Sequence, residues 1–207
     1  MNVFLFDFDD TVYDYDFRRR LPALSILTGV SQYALAKQWW AGGFERRAEA
    51  GEWPTSDEYL AKFAEVTGAT ISLENWRETR MLASTPIPGA IEAVLRVAEL
   101  GRVGILTNNP SPFRECFGFL APEISGAIGE DVLVSADLRV RKPDAEIYEI
   151  AAEHFDADPK DVFFTDDSTA NVEGAVAVGM HGHKLRWVNG VADISGLNDS
   201  IEKFLKR

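Results

Sequence analysis

The chain is 207 residues long, 46% hydrophobic and 26% charged, which is material for one globular domain or one domain carrying an insertion. Its formal net charge of −12 argues against nucleic acid as a main partner, since a phosphate backbone needs a basic footprint. With Cys116 as the sole cysteine, an intramolecular disulfide is impossible. The apolar run near the start is too short for a secretory signal and has no basic segment before it. No apolar stretch approaches the ~20 residues that span a bilayer. The expectation is a cytoplasmic protein without membrane contact.

Val3 to Phe6 is a short, continuous apolar run with a β-branched and two aromatic members, the pattern of a strand buried on both faces of a parallel sheet. It ends in Asp7-Phe8-Asp9-Asp10-Thr11. Carboxylates gathered at a strand's C-terminal end repel one another, and a hard cation such as Mg²⁺ relieves that cost.

From about Asp16 to Ser84 the signals are helical. Ser31 caps a helix expected to reach Trp40, Phe44 to Ala50 forms another, and Thr55-Ser56-Asp57-Glu58 matches a capping box before a helix that ends at Gly68. Leu73 to Met81 carries the last helix of this block, and Thr85 to Gly89 reads as an exit linker.

Beyond it the pattern alternates between strand and helix. Ala90 to Leu100 is an amphipathic helix, and Val103 to Leu106 is a strand ending in Thr107-Asn108-Asn109-Pro110. Pro112 to Phe119 reads as a short helix followed by an irregular connection. Val132 to Val134 is a strand, and Lys142-Pro143-Asp144 opens a helix to about Phe155. Val162 to Thr165 is a strand ending in Asp166-Asp167-Ser168. A helix from Asn171 to Val178, a strand from Gly182 to Trp187 and a helical tail complete the chain.

Four polar clusters therefore fall at strand ends or at a helix start: Asp7/Asp9/Thr11, Thr107/Asn108, Lys142 and Asp166/Asp167. A doubly wound sheet brings such clusters to one edge. In this order the motifs resemble those of the haloacid dehalogenase-like superfamily: Asp-x-Asp-x-Thr at Asp7 to Thr11, Thr107-Asn108, Lys142-Pro143, and a strand ending in Asp166-Asp167. The resemblance covers nearly the whole chain. It implies an α/β fold, a Rossmann-like parallel sheet with an inserted all-helical cap. Residues 1–15 and 86–207 would form the core and residues 16–85 the cap.

By position, the resemblance implies Asp7 as the nucleophile that forms an aspartyl-phosphate, and Asp9 as the general acid and base. It implies Mg²⁺ held by Asp7, the backbone carbonyl of Asp9 and Asp167, with Asp166 assisting. Thr107, Asn108 and Lys142 would contact the substrate phosphate, Lys142 would also offset the charge of Asp7, and Asn171 would lie behind them. The expected reaction is hydrolysis of a small phosphate monoester from a phosphorylated metabolite, by a monomer or homodimer. Phe44…Gly51-Glu52…Ser56-Asp57-Glu58 and Arg141 to Tyr148 look similar to bacterial sugar-phosphate phosphatases, including those acting on glucose 1-phosphate.

The resemblance also implies that Asp9 disfavours carbon–halogen hydrolysis, since the family's enzymes for that reaction lack an acid at this position, a halide leaving group needing no proton. A sugar-phosphate mutase would keep Asp9 and is the alternative enzyme. A phosphoacceptor module also gathers acids and a lysine at strand ends, but normally without a helical insertion. His181-Gly182-His183 has the composition of a metal pair yet no obvious third ligand, which favours a surface or core role. Trp39, Trp40, Phe44 and Trp53 are expected in a core more than around a substrate. Arg18 to Arg20 and Arg46-Arg47 could hold an anionic substrate tail, but most of them are expected to form a solvated face.

Overall fold

The computed structural model describes residues 1–207. Strand β1 (Val3–Phe6) points Val3 and Leu5 to one face and Phe4 and Phe6 to the other, as the two-residue period requires. The chain then turns tightly, with the amides of Val12 and Tyr13 both donating to Phe8 O at 2.9 Å, and enters β2 (Tyr13–Tyr15).

The helical insertion follows as α1 (Arg20–Thr28), α2 (Gln32–Leu35), α3 (Phe44–Glu49), α4 (Ser56–Thr67) and α5 (Leu73–Leu82). Ser31 caps α2 by accepting from Ala34 N at 3.2 Å. The helix continues to Trp40 as expected, but as a π-helical turn in which Ala41 N reaches Ala36 O. At the start of α4, Glu58 N donates to Thr55 Oγ1 at 3.2 Å and Thr55 N to Glu58 Oε2 at 3.1 Å, so the capping box is complete.

β3 (Ser84–Pro86) pairs antiparallel with β2, placing Tyr13 opposite Pro86 and Tyr15 opposite Ser84. The stretch around residue 85 is thus half of a two-stranded ribbon rather than a plain linker. Three residues ending in a proline are too few to show an alternating pattern.

The remaining elements are α6 (Pro88–Ala98), β4 (Arg102–Thr107), α7 (Pro112–Leu120), α8 (Pro122–Ile128), β5 (Val132–Val134) and α9 (Ser135–Leu138). They continue as α10 (Ala145–His154), β6 (Val162–Asp166), α11 (Thr169–Ala177), β7 (His181–Lys184), β8 (Trp187–Val188), β9 (Val191–Ala192) and α12 (Ile194–Leu205). The main sheet has the order β5-β4-β1-β6-β7, parallel throughout, with Leu5 between Gly104 and Phe164.

Alternate residues of each strand feed two apolar layers. Val3, Leu5, Leu106 and Phe164 pack with Ile147, Tyr148 and Ala151 of α10 and Ala175 of α11. Phe4, Phe6, Ile105 and Phe163 pack on the other face with α6, α7, α8 and α12. Helices on both faces make the sheet doubly wound.

Several expectations are corrected. The connection after Phe119 is helical, because Pro122 can occupy the first turn of α8, where no amide is needed. The last long strand divides: β7 ends at Lys184 after pairing with β6, and Trp187 belongs to the β8–β9 hairpin. Arg18, Arg19, Arg46 and Arg47 are exposed, in line with the expectation that most of these arginines are solvated, while Arg20 is buried and stacks on Trp76 at 5.2 Å.

Trp39 is fully buried among Phe44, Tyr59 and Phe63, with ring centroids 5.0–5.6 Å away, so these aromatics form the insertion's part of the larger apolar layer. His183 stacks on Phe163 and His181 meets the edge of Phe204. Neither belongs to the metal-sized cluster of acids described below.

Candidate active site

β1 lies between β4 and β6, so the residues following these three strands meet at one edge of the sheet. That edge receives Asp7, Thr107, Asn108, Asp166 and Asp167. Lys142 arrives from the loop between α9 and α10. Its ammonium donates to Leu106 O at 2.9 Å, to Asp166 Oδ2 at 2.6 Å and to Asp7 Oδ1 at 2.8 Å. Three donors meet three acceptors, and the side chain is fully buried.

Asn108 fixes the backbone behind that lysine. Its Oδ1 accepts from Lys142 N at 2.9 Å and its Nδ2 donates to Lys142 O at 3.0 Å. This reciprocal pair binds the end of β4 to the Lys142 loop. In the structure Asn108 therefore positions Lys142.

Burial raises the Asp7 carboxyl well above the ordinary range, and repulsion from Asp166 adds to this against the opposing charge of Lys142. Burial works against the charge of Lys142, but Asp7 and Asp166 outweigh it and hold its proton more tightly. Asp7 Oδ1 also accepts from Phe8 N at 2.7 Å.

Asp166 is completely buried, and its carboxylate accepts from Lys142, from Ser168 N at 2.8 Å and from Asn171 Nδ2 at 3.0 Å. Asp167 is half-buried, and no other side chain hydrogen-bonds to its carboxylate. Burial, followed by the charge of Asp166, pushes its pKa up to about 6.

One oxygen from each of Asp7, Asp166 and Asp167 falls within 4.8 Å of the others. An all-carboxylate set suits a hard divalent cation, which would also relieve the repulsion that raises Asp7 and Asp167. The residues present fit Mg²⁺ on both counts. The side chain of Asp9 is outside this cluster.

Asp9 Oδ1 pairs with Arg80 of α5, and its Oδ2 accepts from Asn109 Nδ2 at 3.0 Å. Arg80 is buried, donates to Ser84 Oγ at 2.9 Å and lies 3.6 Å above the Tyr15 ring. Asn109 also donates to Thr107 Oγ1 at 2.9 Å. Asp9 is thus held between the core and the helical insertion.

Asp10, in contrast, is a turn residue. It has a left-handed φ of 56°, and its Oδ1 accepts from Tyr15 N at 3.0 Å. The sequence pattern does not single out Arg80, and it shows Asn109 only as one of the polar residues that follow the Val103 to Leu106 strand. Arg80 looks like any basic residue in a helix's last turn, and its partner lies 71 positions away. Asn109 differs from an ordinary turn asparagine only through its contacts.

Residues 1–179 match the family model for haloacid dehalogenase-like hydrolases. Among solved structures, the chain is similar to a haloacid dehalogenase (HAD) family enzyme of Bacteroides thetaiotaomicron, at 18% identity and a TM-score of 0.70 over 90% of this chain and 94% of that one. The same enzyme has been crystallised in complex with magnesium and inorganic phosphate. A HAD phosphatase of Thermococcus onnurineus is 20% identical, with a TM-score of 0.68 over 97% of this chain and 98% of that one. L-2-haloacid dehalogenase of Xanthobacter autotrophicus is 18% identical over 91% of this chain and 79% of that one, with a TM-score of 0.62. At these identities the likeness is one of fold.

Proposed function

The chain belongs to the haloacid dehalogenase-like hydrolase family, and on that premise we propose that it is a Mg²⁺-dependent phosphatase of a small phosphate monoester, sugar phosphates foremost, working through an aspartyl-phosphate on Asp7. The observation that carries this reading is the grouping of Asp7, Asp166 and Asp167 around one point, with Lys142 bound to two of them and Asp9 two residues beyond Asp7. The magnesium and phosphate complex of the B. thetaiotaomicron enzyme and the phosphatase of T. onnurineus support it by analogy.

In this reading Asp7 attacks phosphorus while Asp9 gives a proton to the departing alkoxide. Asp9 then takes a proton from the water that releases phosphate from Asp7. Lys142 offsets the charge of Asp7, Asn108 positions Lys142, and Arg80 with Asn109 positions Asp9. Asp7 and Asp167 would hold Mg²⁺ together with the Asp9 carbonyl, while Asp166, already committed to Lys142 and Asn171, chiefly orders the site. A bound Mg²⁺ would supply positive charge to the phosphoryl oxygens. Residues 16–85 act as the cap that covers this edge and excludes water.

The test is phosphate release with Mg²⁺ across sugar phosphates, nucleotides, phosphoglycolate and flavin mononucleotide. Release dependent on Asp7 is the expected result. Isomerised sugar phosphate without free phosphate would replace hydrolysis with mutase chemistry. No reaction with any member would refute the phosphatase reading.

A further inference from the structure

Between α3 of the insertion and the loop that delivers Lys142 lies a cavity of about 530 Å³. Four arginines line it, Arg46 and Arg47 from α3 and Arg139 and Arg141 from the loop after α9. In a chain of net charge −12 this concentration is local and calls for an explanation.

The four differ in how their charge is met. Arg47 is paired with Glu52 and stacked over Phe44 and Trp53 at 5.0 and 5.1 Å. Arg141 is paired with Glu49, but its Nε is buried without a partner. Arg46 and Arg139 make no ion pair or side-chain hydrogen bond within the chain, although both are exposed. The cavity's own acids, Asp144 and Glu146, are exposed and pair with none of the four.

The cavity is also adjacent to the proposed chemistry. Its wall includes Lys142, whose buried side chain runs from that wall to the Asp7 carboxylate, and Arg141 is the preceding residue. A small molecule with its phosphorus at Asp7 would therefore have a positively charged compartment within its reach.

We propose that this cavity is a subsite for a second oxyanion, a carboxylate or a second phosphate, carried on the same molecule as the phosphate attacked by Asp7. Guanidinium groups bind both kinds of group through paired, charge-assisted hydrogen bonds, and Arg46 and Arg139 have theirs free. This subsite rests on the phosphatase reading, and it narrows the substrate to monoesters bearing a distal anion. Arginines that merely solubilise the surface would give no such preference.

The test compares phosphoglycolate and fructose 1,6-bisphosphate with p-nitrophenyl phosphate, which has no second anion. The unaltered chain should favour at least one doubly anionic compound in kcat/KM, and the advantage should fall as salt rises. In the Arg46→Gln/Arg139→Gln variant that advantage should shrink by about tenfold or more, with hydrolysis of p-nitrophenyl phosphate altered no more than about twofold. Equal loss on all three compounds, or no preference in the unaltered chain, overturns the subsite.

Calorimetric titration with phosphoglycolate in the presence of Mg²⁺ separates the two readings. Binding that needs Arg46 and Arg139 but leads to no phosphate release keeps the subsite and refutes the phosphatase. Release without any such binding preference keeps the phosphatase and refutes the subsite.

Discussion

Asp7, Asp9 and Asp10 are three carboxylates within four residues, yet their surroundings give them separate work. Asp7 is bound to Lys142, Asp9 to Arg80 and Asn109, and Asp10 to the backbone of its own turn. Asp7→Asn should lower p-nitrophenyl phosphate hydrolysis by on the order of 10³-fold or more while circular dichroism stays unchanged. Asp10→Asn should stay within a few-fold of the unaltered rate. Equal losses in the two variants would mean that the division of roles is wrong. The residues nearest the reacting edge were legible in the sequence because Asp7, Thr107, Asn108, Asp166 and Asp167 each fall at or just past the end of an apolar run. Arg80 was not legible, since only the folding of α5 over β2 brings it to Asp9. Lys142 was legible through its place in an ordered set of motifs, whereas its threefold engagement, with Asp7, Asp166 and Leu106 O, was not.

At the scale of elements, short-range signals were read well and pairings were not. Thr55 and Glu58 announce α4 because a capping box is complete within four residues. The β2–β3 ribbon joins segments some 70 residues apart and has only three residues per strand, so no local pattern marks it. α8 was hidden by its proline and glycine, which look irregular until Ile124 and Ile128 are seen to face the core. Docking of the insertion on the core can be tested at Gly51, which has φ +77° and where an added Cβ would lie 2.6 Å from Ala136 O. Gly51→Ala should cost about 2–3 kcal/mol in denaturant unfolding, more than Gly68→Ala, which has a similar φ but open space around it. Equal costs would show that backbone conformation alone matters at residue 51.

Glu49 joins the same two parts through Arg141. Burial first, then the charge of Glu45, pushes its pKa up to about 7. A carboxyl raised in the folded state adds stability below its unfolded value, and that contribution is lost as pH climbs from about 4.5 to about 7. Glu49→Gln should therefore gain stability relative to the unaltered chain across that interval, by at most about 3 kcal/mol. The comparison is a pair of thermal unfolding series against pH, and parallel curves would remove Glu49 from the account.

For the molecule as a whole, three of the acids behind its net charge of −12 gather at one point, Asp7, Asp166 and Asp167. Mg²⁺ at a hundredfold excess over its Kd should stabilise the folded chain by about 2.7 kcal/mol, read as a higher unfolding midpoint that a chelator reverses. Asp167→Asn should lose much of that gain. A midpoint indifferent to millimolar Mg²⁺ would remove the metal from the proposed mechanism.

The polypeptide passes between core and insertion only twice, and at both crossings it is part of the β2–β3 ribbon. Two independent tethers would let the attached body swing and twist in several directions. Strands hydrogen-bonded side by side resist shear and torsion but bend across their plane, so any movement of the insertion on the core should reduce to a single angle. One distance between a label on α4 and a label on α10 would then describe the whole trajectory, and its distribution would have as many peaks as there are resting positions.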